Sequence, residues 1–125
     1  MSTNSGPGYA KHPEHTVTVT PFRGRVVVRV GDDVVADTRD ALQLNEASYP
    51  AACYVPRTDV RMERLARTDH RTHCPFKGDA SYFTITGVAE NAVWSYEHPY
   101  DEVEQIRDRL AFYPDKVRID VEPAA

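Results

Sequence analysis

No apolar run in the 125-residue chain approaches the ~20 residues that carry a helix across a bilayer, so no membrane partner is expected. Cysteine is scarce. Cys53 and Cys74 are the only two, too few for a disulfide framework or for the paired CxxC motifs of a structural zinc site. Excess positive charge is missing as well. Fifteen Lys and Arg stand against nineteen Asp and Glu, a formal charge of −4, and this leaves no basic footprint for nucleic acid. Nor is there a glycine-rich phosphate loop, a G-S-x-x-D-x-D run, an internal repeat or a long amphipathic helix. Residues 1–13 lack the apolar stretch of a secretion signal. A cytoplasmic protein with reduced thiols is the resulting expectation.

What is present is ordinary for a globular domain: 41% hydrophobic and 27% charged residues. The length suits one domain with its own core. Residues 1–13 are polar and rich in Gly and Pro, and read as a flexible arm. Residues 14–122 form the domain, and 123–125 a short tail. Thr16-Val17-Thr18-Val19-Thr20 alternates strictly, as a strand does. Arg25-Val26-Val27-Val28-Arg29-Val30, then Gly31-Asp32-Asp33, then Val34-Val35-Ala36 reads as a hairpin. Residues 41–46, 53–55, 82–86 and 92–96 supply further short strands. In residues 116–122, Val117, Ile119 and Val121 share one face and charged residues the other, which predicts a strand with one wet face. Residues 59–65 read either as a two-turn helix or as an irregular loop, and residues 102–108 as one helical turn or a loop. The fold expected is a mainly β single domain of short antiparallel strands, barrel-like or tent-like, with one or two helical turns.

The richest chemistry lies in residues 68–82, expected as a loop entering a strand because Pro75 and Gly78 punctuate it. Its core, Thr72-His73-Cys74-Pro75-Phe76-Lys77-Gly78-Asp79-Ala80-Ser81-Tyr82, occurs with Glu46, Tyr49-Pro50, Tyr54-Val55-Pro56, Asp59-Val60, Trp94-Ser95-Tyr96 and Leu110-Ala111-Phe112-Tyr113. In this succession the chain resembles the family called domain of unknown function 427, over roughly residues 14–122. The resemblance implies a small, mainly β protein of bacterial or fungal type with a tent-like or barrel-like sheet arrangement. It brings a nucleotidyltransferase-like label but no settled activity, and the carboxylate pair and phosphate cradle of such chemistry have no counterpart motif here.

Several residues carry candidate roles, each with a plainer alternative. Cys74 is either a nucleophile activated by a nearby cation such as Lys77 or a small buried hydrophobe. His73 is poorly placed as its base, because neighbours on an extended chain face opposite ways; His70 and His98 are freer. Cys74 with His70, His73 and Cys53 offers metal-ligand residue types, but the spacing does not pair, so no metal or cofactor is expected. Lys77-Gly78 either receives an anion or simply turns the chain. Glu46 is either a general acid/base or a loop cap. Tyr54, Tyr82, Trp94 and Tyr96 either line a pocket or complete the core. Arg57, Asp59 and Arg61 are expected to brace by ion pairing. Beside a nucleotidyltransferase-like enzyme, which has the label alone for support, two functional readings follow. One is a pocket for a small polar or anionic ligand formed by Glu46, Tyr54, Thr72, Cys74, Lys77 and Tyr82, with Cys74, Glu46 and Lys77 the catalytic candidates should a reaction occur. The other is a non-catalytic interaction protein, monomeric or homodimeric through an open sheet edge.

Overall fold

A computed structural model describes residues 4–124. Ten strands make three antiparallel sheets. In the first, β1 (Val17–Pro21), β4 (Leu42–Glu46) and β5 (Ala52–Tyr54) lie in the order β1-β4-β5. In the second, β2 (Gly24–Val30), β3 (Asp33–Thr38) and β10 (Arg118–Pro123) lie in the order β10-β2-β3. The third orders β6 (Leu65–Cys74), β7 (Gly78–Ile85), β8 (Ala89–Tyr96) and β9 (Ala111–Phe112) consecutively. The chain is mainly β, as its pattern of short strands implies. Among the described residues the strands form three sheets with free edges rather than one closed barrel.

Valine builds the centre. Val26, Val27 and Val28 of β2 are all buried, as a central strand covered on both faces requires. Val26 and Val28 join Val35, Val55, Phe83, Ile85, Val93, Leu110 and Phe112 in the larger core cluster. A second cluster forms around Leu44, Tyr54, Tyr82, Tyr96, Val103 and Ile106. The predicted β2–β3 hairpin is present, with Gly31 at φ +60° in its turn.

Two expectations change, and one open alternative is decided: residues 59–65, read either as a two-turn helix or as an irregular loop, form no two-turn helix. Two single 3₁₀ turns, Arg57–Asp59 and Met62–Arg64, flank Val60, which bridges to Ala36 while the Arg61 N–H donates to Val35 O at 2.8 Å. Pairing with β3 thus overrides a weak local helical preference. Residues 102–108 likewise contain a 3₁₀ segment, Asp101–Ile106.

Residues 68–74 are not a loop. They belong to β6, and only residues 75–77 turn the chain into β7. β6 is an edge strand with seven of its ten residues exposed, so the half-buried alternation that marks a strand in sequence is absent. Its charged side chains and the register irregularity between Arg67 and Arg71 are devices that discourage edge-to-edge pairing.

The arm expected over residues 1–13 is docked along its described part, residues 4–13. Helix α1 (Pro7–Lys11) is anchored by Gly8 N–H to Pro75 O at 3.0 Å and Tyr9 O–H to Phe76 O at 2.9 Å. The Ser5 hydroxyl and Gly6 N–H both donate to Glu102. The reason is Phe76. Its buried ring meets Tyr9 edge-on at 5.1 Å, and a Cβ on Gly8 would lie only 2.8 Å from it.

Candidate ligand cavity

The β6–β7 turn sets the site. Gly78 adopts φ +113°, and a Cβ there would meet His98 O at 3.2 Å. A side chain at this position would therefore strain the backbone and crowd the neighbouring segment. The turn is held by Tyr100 N–H donating to Lys77 O at 3.1 Å. It points Lys77 at Glu46, the last residue of β4, with Lys77 Nζ to Glu46 Oε1 at 2.6 Å. The other carboxylate oxygen, Oε2, lies 2.9 Å from His15 Nε2. An ionised carboxylate only accepts, so this ring nitrogen carries the hydrogen. The His15 ring in turn stacks on Phe76 at 4.1 Å, with 21° between the planes.

All three side chains are largely sheltered: 14% exposed for Lys77, 16% for Glu46 and 21% for His15. Burial alone would push the Glu46 carboxyl up. The hydrogen bond and charge of Lys77, followed by those of His15, outweigh it and hold the group below its ordinary value.

Both Glu46 and Lys77 line a cavity of about 480 Å³ to which elements of all three sheets contribute. β2 gives Val26 and Val28, β4 gives Leu44, and β8 and β9 give Trp94 and Phe112. The β4–β5 connection and β5 contribute Tyr49, Pro50, Cys53 and Tyr54, and β10 contributes Ile119 and Val121. The lining is mostly apolar. Tyr54 is fully buried and its hydroxyl accepts from Trp94 Nε1 at 3.0 Å. Burial pushes its phenol up and keeps it protonated, and burial pushes the Cys53 thiol up too. The predicted buried face of β10 is only half covered. Val121, a cavity-lining residue, is 45% exposed, and Tyr49, another, is 65% exposed.

Glu46, Tyr54 and Lys77 therefore meet at one cavity, with Trp94 beside them. Thr72, Cys74 and Tyr82 do not line it. Thr72 Oγ1 and Tyr82 OH bond each other at 2.9 Å, the Tyr82 hydroxyl lies 3.3 Å from Tyr113 OH, and the His70 ring packs against Tyr82 at 4.4 Å. Cys74 is a half-buried thiol packed on the second core cluster. His73 bonds Asp79 across the strand pair at 2.7 Å. Tyr96 lies in the second cluster, with the Lys77 ammonium 5.8 Å from its ring centre.

Sequence reasoning did not select His15, whose polar surroundings gave no signal. It also missed Glu97. This carboxylate accepts from Arg67 twice, at 2.8 and 2.7 Å, from Arg57 at 2.9 Å and from Ser81 at 2.9 Å. The Arg67 hydrogen bonds, chiefly, hold its carboxyl far below the ordinary range. Glu97 thus braces β6, β7 and the end of β8, and Arg57 takes its expected structural part there. Asp59 instead accepts from Thr38 at 2.7 Å, and Arg61 pairs with Glu63 at 3.2 Å. Among the described residues, no group of three or more His, Cys, Asp or Glu side chains is gathered in a way that could hold a metal ion, and no helix is long and apolar enough to cross a membrane.

Fold and cavity together define a small domain of three packed antiparallel sheets with an apolar chamber between them. The family model described as Domain of unknown function (DUF427) matches residues 18–123, and the chain belongs to that family. The model's short label is NTP_transf_9. No curated protein matches the chain.

Proposed function

We propose that the protein binds a small molecule with an apolar body and one polar group in the cavity that Glu46 and Lys77 help to line. The observation that carries this reading is the chamber itself. At about 480 Å³ it falls within the range of small-ligand sites, and it has their character of apolar walls with a few convergent polar groups. Among the described residues, two of the three large exposed hydrophobics, Tyr49 and Val121, line it.

Binding is favoured over catalysis. Glu46 and Lys77 are paired with each other, and a carboxyl held below its ordinary value is a weak base near neutral pH. Cys74 faces another part of the core. Nucleotidyl transfer has the family label as its support and no arrangement of side chains in this chamber.

Trp94 is the only tryptophan and lines the chamber, so its fluorescence reports occupancy. Titration with 3-phenylpropanol is expected to give a saturable change with one site per chain. Ala52→Leu, which fills the cavity from β5, is expected to weaken that binding at least tenfold. A signal that never saturates, or one indifferent to Ala52→Leu, would refute the proposal.

A further inference from the structure

We infer that a second, polar cavity between β6, β7 and the end of β8 binds a phosphate group, free or as the monoester of a small molecule, through the guanidinium of Arg71. This cavity, of about 590 Å³, shares no lining residue with the apolar chamber.

The strand register gathers its groups. Arg71 and His73 of β6 stand opposite Ser81 and Asp79 of β7, so all four side chains project from one face of the sheet. Glu97, just past β8, reaches that face and accepts from Ser81 at 2.9 Å. It also takes two hydrogen bonds from Arg67 and one from Arg57. A carboxylate offers about four lone-pair sites. Four donors therefore saturate Glu97, and nothing is left there for Arg71. Arg71 donates instead from Nη1 to Ser81 Oγ at 2.5 Å, and among the described residues its side chain has no other hydrogen bond and no ion pair. Asp79, the other acid in the lining, bonds His73 at 2.7 Å and makes no ion pair with Arg71. Three guanidinium groups thus share this face with two carboxylates, and the unmatched one is Arg71.

That guanidinium is both held and reachable. Ser81, itself fixed by Glu97, orients it before any ligand arrives. Arg71 and His98 are exposed, so a ligand meets them directly from solvent. Beyond the bond to Ser81 the fork keeps four N–H groups, and its spacing matches two oxygens of a phosphate. A tetrahedral phosphate keeps a third oxygen for the His98 imidazole, which lines the same cavity and has no side-chain partner among the described residues. A carboxylate that fills the fork has no oxygen left over. An ammonium would meet the surplus cation.

The full chain is titrated with sodium phosphate, phenyl phosphate and benzoate at constant ionic strength, which holds screening equal. The His73 and His98 ring C–H signals report binding by NMR. Both phosphates are expected to give saturable shifts at one site per chain, at least tenfold tighter than benzoate. Inorganic phosphate should leave the indole of Trp94, in the other chamber, unmoved. Equal affinity for the two phosphates would support the site as one for the free ion, and a preference for phenyl phosphate as one for an ester. Arg71→Gln is expected to weaken phosphate binding at least tenfold. Arg71→Lys, which keeps the charge and loses the fork, should recover only part of it. The comparison with benzoate in the unmodified protein stands by itself if either variant folds poorly. Shifts that never saturate, benzoate as tight as phosphate, or folded Arg71→Gln binding like the parent would overturn the inference.

Discussion

Replacing Glu46 with glutamine keeps the shape of the side chain and removes its charge. In the folded protein the carboxylate accepts from Lys77 at 2.6 Å and from His15 at 2.9 Å, and the Lys77 and Glu46 side chains are 14% and 16% exposed. Exposed pairs are worth at most ~1 kcal/mol, whereas removing one partner of a fully buried pair costs ~3–5 kcal/mol. Glutamine retains one acceptor oxygen for Lys77, which places the loss between these limits, at about 2 kcal/mol. For a chain of this length that lowers the thermal midpoint by roughly 8 °C. The loss also depends on pH. The folded carboxyl lies below its ordinary value of 4.5. Its contribution is therefore fully present above that value and fades as pH falls through the lower folded pKa. Thermal midpoints of the two proteins, measured from pH 7 to pH 3, should differ most at pH 7 and converge under acid. A gap that is absent at pH 7, or that stays constant to pH 3, would show that the Glu46–Lys77–His15 group does not hold the turn against β4 as described.

Glu97→Ala removes the shared acceptor of Arg57, Arg67 and Ser81. Partial exposure of both arginines limits the loss to about 2 kcal/mol, readable by chemical denaturation. The Glu97 contribution persists further into acid than that of Glu46, because its carboxyl lies further below the ordinary range. Phe76→Ala deletes the ring on which His15, Tyr9 and Gly8 rest. It should cost about 3 kcal/mol and open the Lys11 bond to trypsin well before the rest of the chain, while unchanged cleavage would argue against the docked arm.

The parts legible from sequence were those with a strong local signature. The β2–β3 hairpin has a run of valines, buried on both faces, on either side of a Gly-Asp turn, and it folds as its pattern implies. β6 escaped notice because most of its side chains are in water, and burial alone creates the period of two. Between the two readings left open for residues 59–65, a two-turn helix or an irregular loop, the structure favours the second because Val60 and Arg61 find backbone partners on β3, a contact invisible locally. Of the site, Glu46, Tyr54 and Lys77 were nameable as chemically capable groups on separate elements. Their meeting depends on the β4 register, which sets Glu46 opposite Val17, and on the turn at Gly78. The apolar wall was half legible: Ile119 and Val121 shared a face in the pattern, but nothing in the alternation distinguishes a face that packs from one that roofs a chamber. His15 left no trace, because a histidine in a polar arm looks alike whether solvated or bound to a carboxylate.

The most direct test of the central claim is methyl and indole NMR during titration with 3-phenylpropanol. The account predicts that Val26, Val28, Val121 and the Trp94 indole, all lining the chamber, shift together and saturate at one ligand per chain, while Val88, exposed elsewhere, stays still. Methyl shifts scattered over the surface, or confined to Thr72 beside Tyr82, would contradict it.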